Sequence, residues 1–292
     1  MSFIKRAINV KFNLAEANGV IPSSGATTLN LTGYRVEAYV EMIGGLGLEV
    51  AHLRIWGMRL EDMNKLSTQT REGVAVTSNT LSISAGDVGS PIKQIFFGDI
   101  LTAFIDFAGA PDVSFNVIAQ PGAASAAKPA APNSTRGVLD VAEKLSALSA
   151  SIGFAFINNG VTTRLMNQYL CGTAVDQIRT LIQASSIGAS FSNQTLSIWP
   201  NDGFRDDKII KISPQTGLVG YPEFSPTGAN VRTLFNPDAL PGRKANVTSA
   251  ISMAAGDWAV VGVAHELSTM MPGGPWFTTF NMANNQQYGP KN

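Results

Sequence analysis

The sequence predicts a mainly β protein with an α+β insert, and three observations carry that reading. Apolar residues alternate through residues 7–120, the period turns helical from Asp140, and short strand candidates punctuated by glycine and proline return after Gly203. A chain of 292 residues exceeds one average domain, so about two domains are expected and core size is not limiting.

In the first region Tyr34, Val36, Ala38, Val40 and Met42 are predicted to face one way and Arg35, Glu37, Tyr39 and Glu41 the other. The alternation recurs in residues 53–56, 81–83 and 113–117, which predicts an antiparallel sandwich or barrel. Leu60, Met63 and Leu66, spaced three apart, predict a helix of about two turns over residues 59–66. Gly44-Gly45-Leu46-Gly47 lacks the spacing of a dinucleotide fingerprint and reads as a hairpin turn. Residues 121–133, rich in alanine and proline with no large apolar side chain, read as a linker or an extended surface strap.

From Asp140 onward, Asp140 and Glu143 have capping-box spacing, Val141, Leu145, Leu148 and Ile152 form one stripe, and Gly153 suits a C-cap, giving a helix of about thirteen residues. Asn158-Asn159-Gly160 between two apolar runs predicts a hairpin. The pattern then repeats: Thr173 and Asp176 make a weaker box, Ile178, Leu181 and Ile182 a stripe, Gly188 an end, and residues 189–199 a second fold-back. Gly153 and Gly188 are 35 residues apart (188 − 153), an offset that also carries Phe156 onto Phe191 and Asn158 onto Asn193, so an internal helix-hairpin duplication is expected. Strands are then predicted over 208–212, 231–235, 245–249, 258–267 and 276–280, and the last nine residues, 284–292, have nothing to bury. The expected domains are thus 1–120, a linker 121–133, a helix-hairpin domain 134–203, a second β domain 204–283 and the tail 284–292.

Composition narrows function. Lysine plus arginine equal aspartate plus glutamate at 21 each, so no basic field exists to hold phosphates and stable nucleic-acid binding is not expected. Charged residues are only 14% of the chain against roughly 25% in ordinary soluble domains, which suits a surface covered by partners. One cysteine, Cys171, allows no intramolecular disulfide and no thiolate metal set, and it reads as a small apolar filler. Folding in a reducing cytoplasm is expected, with neither a signal peptide nor membrane insertion, because no apolar run of about 18 residues occurs.

Catalytic candidates are few. His52 occupies an outward strand position and His265 sits in a similar alternation, where a structural hydrogen bond or an interface contact is expected rather than base chemistry. The acidic pairs Glu61-Asp62 and Asp206-Asp207 read as solvated turns, and no spacing suggests a metal or a cofactor, so no enzyme is expected. Trp56, Trp199, Trp258 and Trp276 read as core aromatics, except that the loop Pro272-Gly273-Gly274-Pro275 is expected to present Trp276 outward as an interface anchor.

Residues 212–222 (Ile-Ser-Pro-Gln-Thr-Gly-Leu-Val-Gly-Tyr-Pro), Leu234-Phe235-Asn236-Pro237 and residues 271–278 (Met-Pro-Gly-Gly-Pro-Trp-Phe-Thr) resemble the C-terminal barrel of phage tail baseplate hub proteins. Residues 196–200, 53–58, 64–68 and 158–161 extend the likeness over most of the chain, with the order of these motifs more specific than any one of them. The resemblance implies two tube-protein-like antiparallel β-barrels, 1–120 and 204–283, flanking the duplicated middle domain. It further implies a homotrimeric ring joining a six-fold tail tube to a three-fold central spike around a DNA conduit. Expected partners are a second and third copy, a tail tube or distal tail protein, the spike and a tape-measure protein, in a virion baseplate assembled in the host cytoplasm. Candidate interface residues are Phe235, Asn236, Pro237, Pro272, Gly273, Gly274 and Trp276. A hub of a contractile injection apparatus, a carbohydrate-binding β module and a cell-wall hydrolase are the rival readings.

Overall fold

The computed structural model describes residues 5–14, 28–45, 47–68, 79–123, 129–225 and 228–284. Of the expected tail 284–292, Asn284 ends the last strand and residues 285–292 lie outside them, as do Leu46 of the glycine turn and residues 124–128 of the strap. In chain order the elements are β1 (Arg6–Asn13), β2 (Thr28–Leu31), β3 (Arg35–Ile43), β4 (Val50–Trp56), α1 (Leu60–Leu66), β5 (Thr80–Asp87), β6 (Lys93–Asp106) and β7 (Ser114–Gln120). Then come β8 (Asn133–Ser134), β9 (Val138–Asp140), α2 (Val141–Ser151), β10 (Ala155–Asn158), β11 (Arg164–Met166), β12 (Tyr169–Leu170), α3 (Ala174–Ser185), β13 (Gly188–Ser192) and β14 (Thr195–Trp199). The last are β15 (Ile209–Ile212), β16 (Leu218–Ser225), β17 (Gly228–Leu234), β18 (Lys244–Val247), β19 (Gly256–Thr269) and β20 (Trp276–Asn284). The protein is mainly β, as the alternation predicts.

Two compact units emerge. The first comprises residues 1–40, 50–124 and 265–276, the second residues 41–49, 125–264 and 277–292. In the first, the order is β2-β1-β5-β6-β7-β4-β3. Val36, Ala38 and Val40 of β3 are buried together with Leu53, Ile55, Leu81, Ile83, Phe115 and Val117, so the predicted inward face is the real one. Phe12 meets Phe115 edge to face at 6.5 Å. Helix α1 buries Met63 and Leu66, but Leu60 is 54% exposed, because a helix of two turns has room for only part of a three-residue stripe against the sheet.

The second unit holds two apolar clusters. One joins β17, β18, β19 and β20 through Val231, Val247, Val260 and Phe280. β18 runs antiparallel to β19, and β15 joins it in parallel. Among the described residues β16 pairs with β17 alone, across a register shift between Val219 and Glu223. That strand is absent from the sequence prediction because Gly220 and Pro222 read as a turn; Gly220 takes φ +73° at the bulge, and Pro222 is tolerated on an edge strand. No closed barrel is found among the described residues. In the first unit β2 spans four residues and, among the described residues, pairs with β1 alone, so that ladder ends there as an open path.

The other cluster packs Val141, Leu145 and Leu148 of α2 and Ile178, Leu181 and Ile182 of α3 on Phe191, Leu196 and Ile198. Asp140 Oδ1 accepts the Glu143 N–H at 3.1 Å, as its spacing predicts. The box judged weaker is the complete one: Thr173 Oγ1 accepts the Asp176 N–H at 3.2 Å and Asp176 Oδ2 accepts the Thr173 N–H at 3.1 Å. Replacing Thr173 by Ala is therefore expected to cost about 1 kcal/mol in urea unfolding, with Thr173→Ser close to the parent.

Three expectations for this region need correction. Residues 154–165 form no hairpin: β10 pairs in parallel with β14 (Phe156↔Leu196) and β11 pairs with β9. The Asn158 side chain holds both the N–H (2.8 Å) and the C=O (3.0 Å) of Val161, so the Asn-Gly segment closes a loop instead of a two-residue turn. The second half does fold back, β13 against β14, so a helix followed by a strand recurs while the hairpin occurs once. Finally, α3 ends at Ser186, whose φ is 51°, and Gly188 serves another purpose. Any Cβ at Gly188 would lie 2.2 Å from Nε1 of Trp199, so the glycine makes room for the indole.

Residues 129–134 form a strap. Pro129 bridges Thr173, Ala131 C=O accepts from the buried Gln177 at 3.1 Å, and β8 pairs with β12.

Candidate functional site

The groups weighed for chemistry sit in different settings. His52 is exposed and lies tilted against Tyr39. His265 is buried rather than outward-facing, and burial pulls its imidazole down to about 3, so it is neutral at physiological pH. Cys171 is exposed, not a core filler, because it sits between the end of β12 and the cap of α3. Glu61 accepts from Lys65 at 2.6 Å, one turn along α1. Asp206 does more than solvate a turn: the Arg243 guanidinium donates to it through Nε (3.1 and 2.9 Å) and Nη2 (2.7 Å), and Nη1 bonds the Asp238 carbonyl. Among the described residues no three His, Cys, Asp or Glu gather to hold a metal, and no helix is long and apolar enough to cross a membrane.

The tryptophans are core residues in three cases. Trp199 is wedged where added Cβ atoms at Gly188 and Gly242 would lie 2.2 and 2.4 Å from it, and Trp258 donates its indole N–H to Ala254 C=O at 2.9 Å. Trp276 is 5% exposed, with the Arg6 guanidinium 5.4 Å from its ring centre. It therefore does not stand outward. The loop before it is pinned by Ser268, whose N–H and hydroxyl both donate to Pro275 C=O, and this turns the ring under β1. Trp56 alone lies partly exposed, beneath Arg35 (4.4 Å) and Arg54 (5.1 Å).

The two candidate loops have a common character. Pro272 and Gly273 are exposed in the first unit, beside Met270, which is 58% exposed and held at φ 55°. Phe235, Asn236 and Pro237 are half-buried in the second unit, following an exposed Leu234, with exposed Val219, Tyr221 and Phe224 on neighbouring β16. Asn236 takes part in the fold as well, its N–H donating to Thr278 Oγ1 at 2.9 Å.

A buried polar knot in the second unit is a feature that sequence reading misses. Ser190, Ser192 and Ser197 line the face of β13 and β14 opposite the helices. Arg205 donates to Ser192 (3.3 and 3.4 Å) and Ser197 (2.9 Å). Glu49, fully buried, accepts the Asn193 N–H through Oε2 at 3.0 Å, while its Oε1 and the Ser190 hydroxyl have no hydrogen-bond partner. Burial drives the Glu49 carboxyl up to about 8, against the Asn193 N–H and the Arg205 charge. Burial and the neighbouring Arg243 charge pull Arg205 down to about 10. With Leu48 bridging Phe191 and Gly45 N–H donating to Ala189 C=O at 2.7 Å, this knot clasps the predicted glycine turn to β13. The alternating serines were its visible signal; Glu49 in an ordinary Leu-Glu-Val context gave none.

The family model for baseplate hub gp41 matches residues 58–271, nearly three quarters of the chain. The chain belongs to that family. As a baseplate hub protein it is a structural component of a phage tail. Solved folds agree with that of the hub: a 43 kDa tail protein of prophage MuSo2 from Shewanella oneidensis (7% identity, TM-score 0.61, 98% of each chain) and a tail protein from Neisseria meningitidis MC58 (10%, 0.65, 98% of each). A further similar fold is the E. coli c3393 protein, described as a type VI secretion component structurally similar to T4 tail proteins gp27 and gp5 (9%, 0.57, 89% of this chain and 76% of that one). No curated protein matches the hub chain.

Proposed function

We propose that this hub protein is a non-enzymatic adaptor. Three copies form a ring that joins a six-fold tail tube to a three-fold central spike and lines part of the DNA conduit. Membership of the hub family is the observation that carries this reading. Two β domains per chain, 1–120 and 204–283 around the middle domain 134–203, would give six tube-like modules in a trimer, matching a tube of six. The open β2 end of the ladder supports it, since an unclosed ladder leaves backbone groups that a neighbour satisfies. Phe235, Asn236, Pro237, Pro272, Gly273 and Gly274 lie beside exposed apolar side chains, as ring or partner contacts require, while the buried Trp276 supports its loop from beneath. The partners are a tail tube or distal tail protein, a tape-measure protein and the spike; the part is assembled in the host cytoplasm and carried in the virion baseplate.

Light scattering on the purified protein, with negative-stain class averages, tests this directly. A mass of three chains and a three-fold ring with a central bore is expected; a monomer at all concentrations, with and without spike and tube proteins, would overturn it. The fold shared with the E. coli type VI secretion component favours one second reading, the hub of a contractile injection apparatus. Mass spectrometry of purified virions separates the two, since only the phage part travels in the particle.

A further inference from the structure

The hub carries two surfaces of opposite character, one in each unit. In the first unit a cleft of about 610 Å³ is lined by Ile8, Tyr34, Val88, Met270 and Met271, with Lys5 and Arg6 on its wall and no carboxylate among its lining residues. Arg6 is engaged, donating to Gly274 C=O at 3.4 Å and covering Trp276, whereas Lys5 is exposed and has no acidic partner among the described residues. Met270 is an apolar side chain held in the left-handed region at the rim, a conformation that tends to occur where function requires it. Methionines also adapt their shape to whatever enters.

In the second unit, edge strand β16 presents Tyr221, 72% exposed, and Phe224, 48% exposed, on either side of buried Pro222 and exposed Glu223. Glu223 has no ion-pair partner among the described residues. Proline and the bulge at Val219/Glu223 block simple strand addition to this edge, so a partner would recognise its side chains. Two aromatics around a carboxylate are the complement of an apolar cleft with a lysine at its lip.

We propose that the cleft of one protomer receives the Tyr221–Phe224 strip of the next copy, with Lys5 facing Glu223. This rests on the ring reading. One chain bearing both halves of a complementary pair makes a head-to-tail contact, the kind that closes into a ring or runs on as a filament. The zero net charge of the chain suits self-complementarity, because copies meet without overall repulsion.

Cysteines placed at Met270 and Tyr221 in a Cys171→Ser background, treated with a short bismaleimide, test the contact. Covalent dimers and trimers are expected, ending at three copies. Lys5→Glu and Glu223→Lys are each expected to weaken assembly by about tenfold or more, and the double charge swap to return within about threefold of the parent. Three-fold rings that form without cross-linking, that link only within a chain, or that ignore both charge reversals would overturn this contact and leave the hub reading standing. Absence of any ring in the parent protein would overturn both.

Discussion

Stability is expected to fall by about 2 kcal/mol as pH rises from 6.5 to 9, and Glu49→Gln is expected to abolish the fall. The carboxyl titrates near 8 in the fold against 4.5 for an ordinary glutamate. Between those values the folded state binds the extra proton, so this contribution is complete below pH 4.5 and is lost as pH climbs through 8. Each pH unit in that window corresponds to about 1.4 kcal/mol. His265 acts in the opposite sense: its folded value near 3 lies under the ordinary 6.5, so its contribution is present above 6.5 and is lost as pH falls toward 3. The two oppose each other between 4.5 and 6.5, and Glu49 acts alone above that. Arg205, near 10, lies outside the window. Urea unfolding at fixed protein concentration from pH 4 to 9 would give, for the parent, a plateau between about 4.5 and 6.5 that falls away on the alkaline side. For Glu49→Gln it would give a curve that rises to a plateau. A parent curve flat from 6.5 to 9 would mean that Glu49 reaches solvent or a charge partner and the knot is not closed.

Trp199→Ala is expected to cost about 3–5 kcal/mol, the range for deleting a large buried aromatic whose cavity cannot collapse. Collapse is hindered because the indole fills a slot framed by Gly188 and Gly242, whose backbones belong to β13 and to a turn at φ 87°. The slot also borders Arg205, since a Cβ at Gly242 would lie 2.9 Å from that side chain, so the cavity would loosen the knot as well. Trp56→Ala is the internal comparison: that ring is partly exposed and held by two arginines, a contribution of about 1–2 kcal/mol for the pair of cation–π contacts. Equal losses for the two variants would show that the glycine slot has no special role.

Particular residues show what was legible. In β3 every second side chain from Val36 to Met42 is buried, because a half-buried strand must alternate and one sequence suffices to show it. The caps at Asp140 and Thr173 were equally readable, since each is settled within four residues. The hub resemblance rested on the order of turn motifs along the chain, and the family match covers that region.

What tertiary structure alone decided involves partners distant in sequence. Whether residues 155–158 pair with their neighbours or with β14 depends on which sheet edge is free, and no local signal encodes that. Gly188 looked like a helix end because a glycine after an apolar stripe usually is one; its requirement is set by Trp199 across the hairpin. Trp276 looked like an anchor because its loop is rigid, yet Arg6, 270 residues earlier (276 − 6), covers it. Nothing local marks Glu49, whose carboxyl is buried against the Asn193 N–H and near Arg205. Local periodicity and capping are set by neighbours a few residues apart, whereas burial of a particular side chain is set by whatever the fold brings over it.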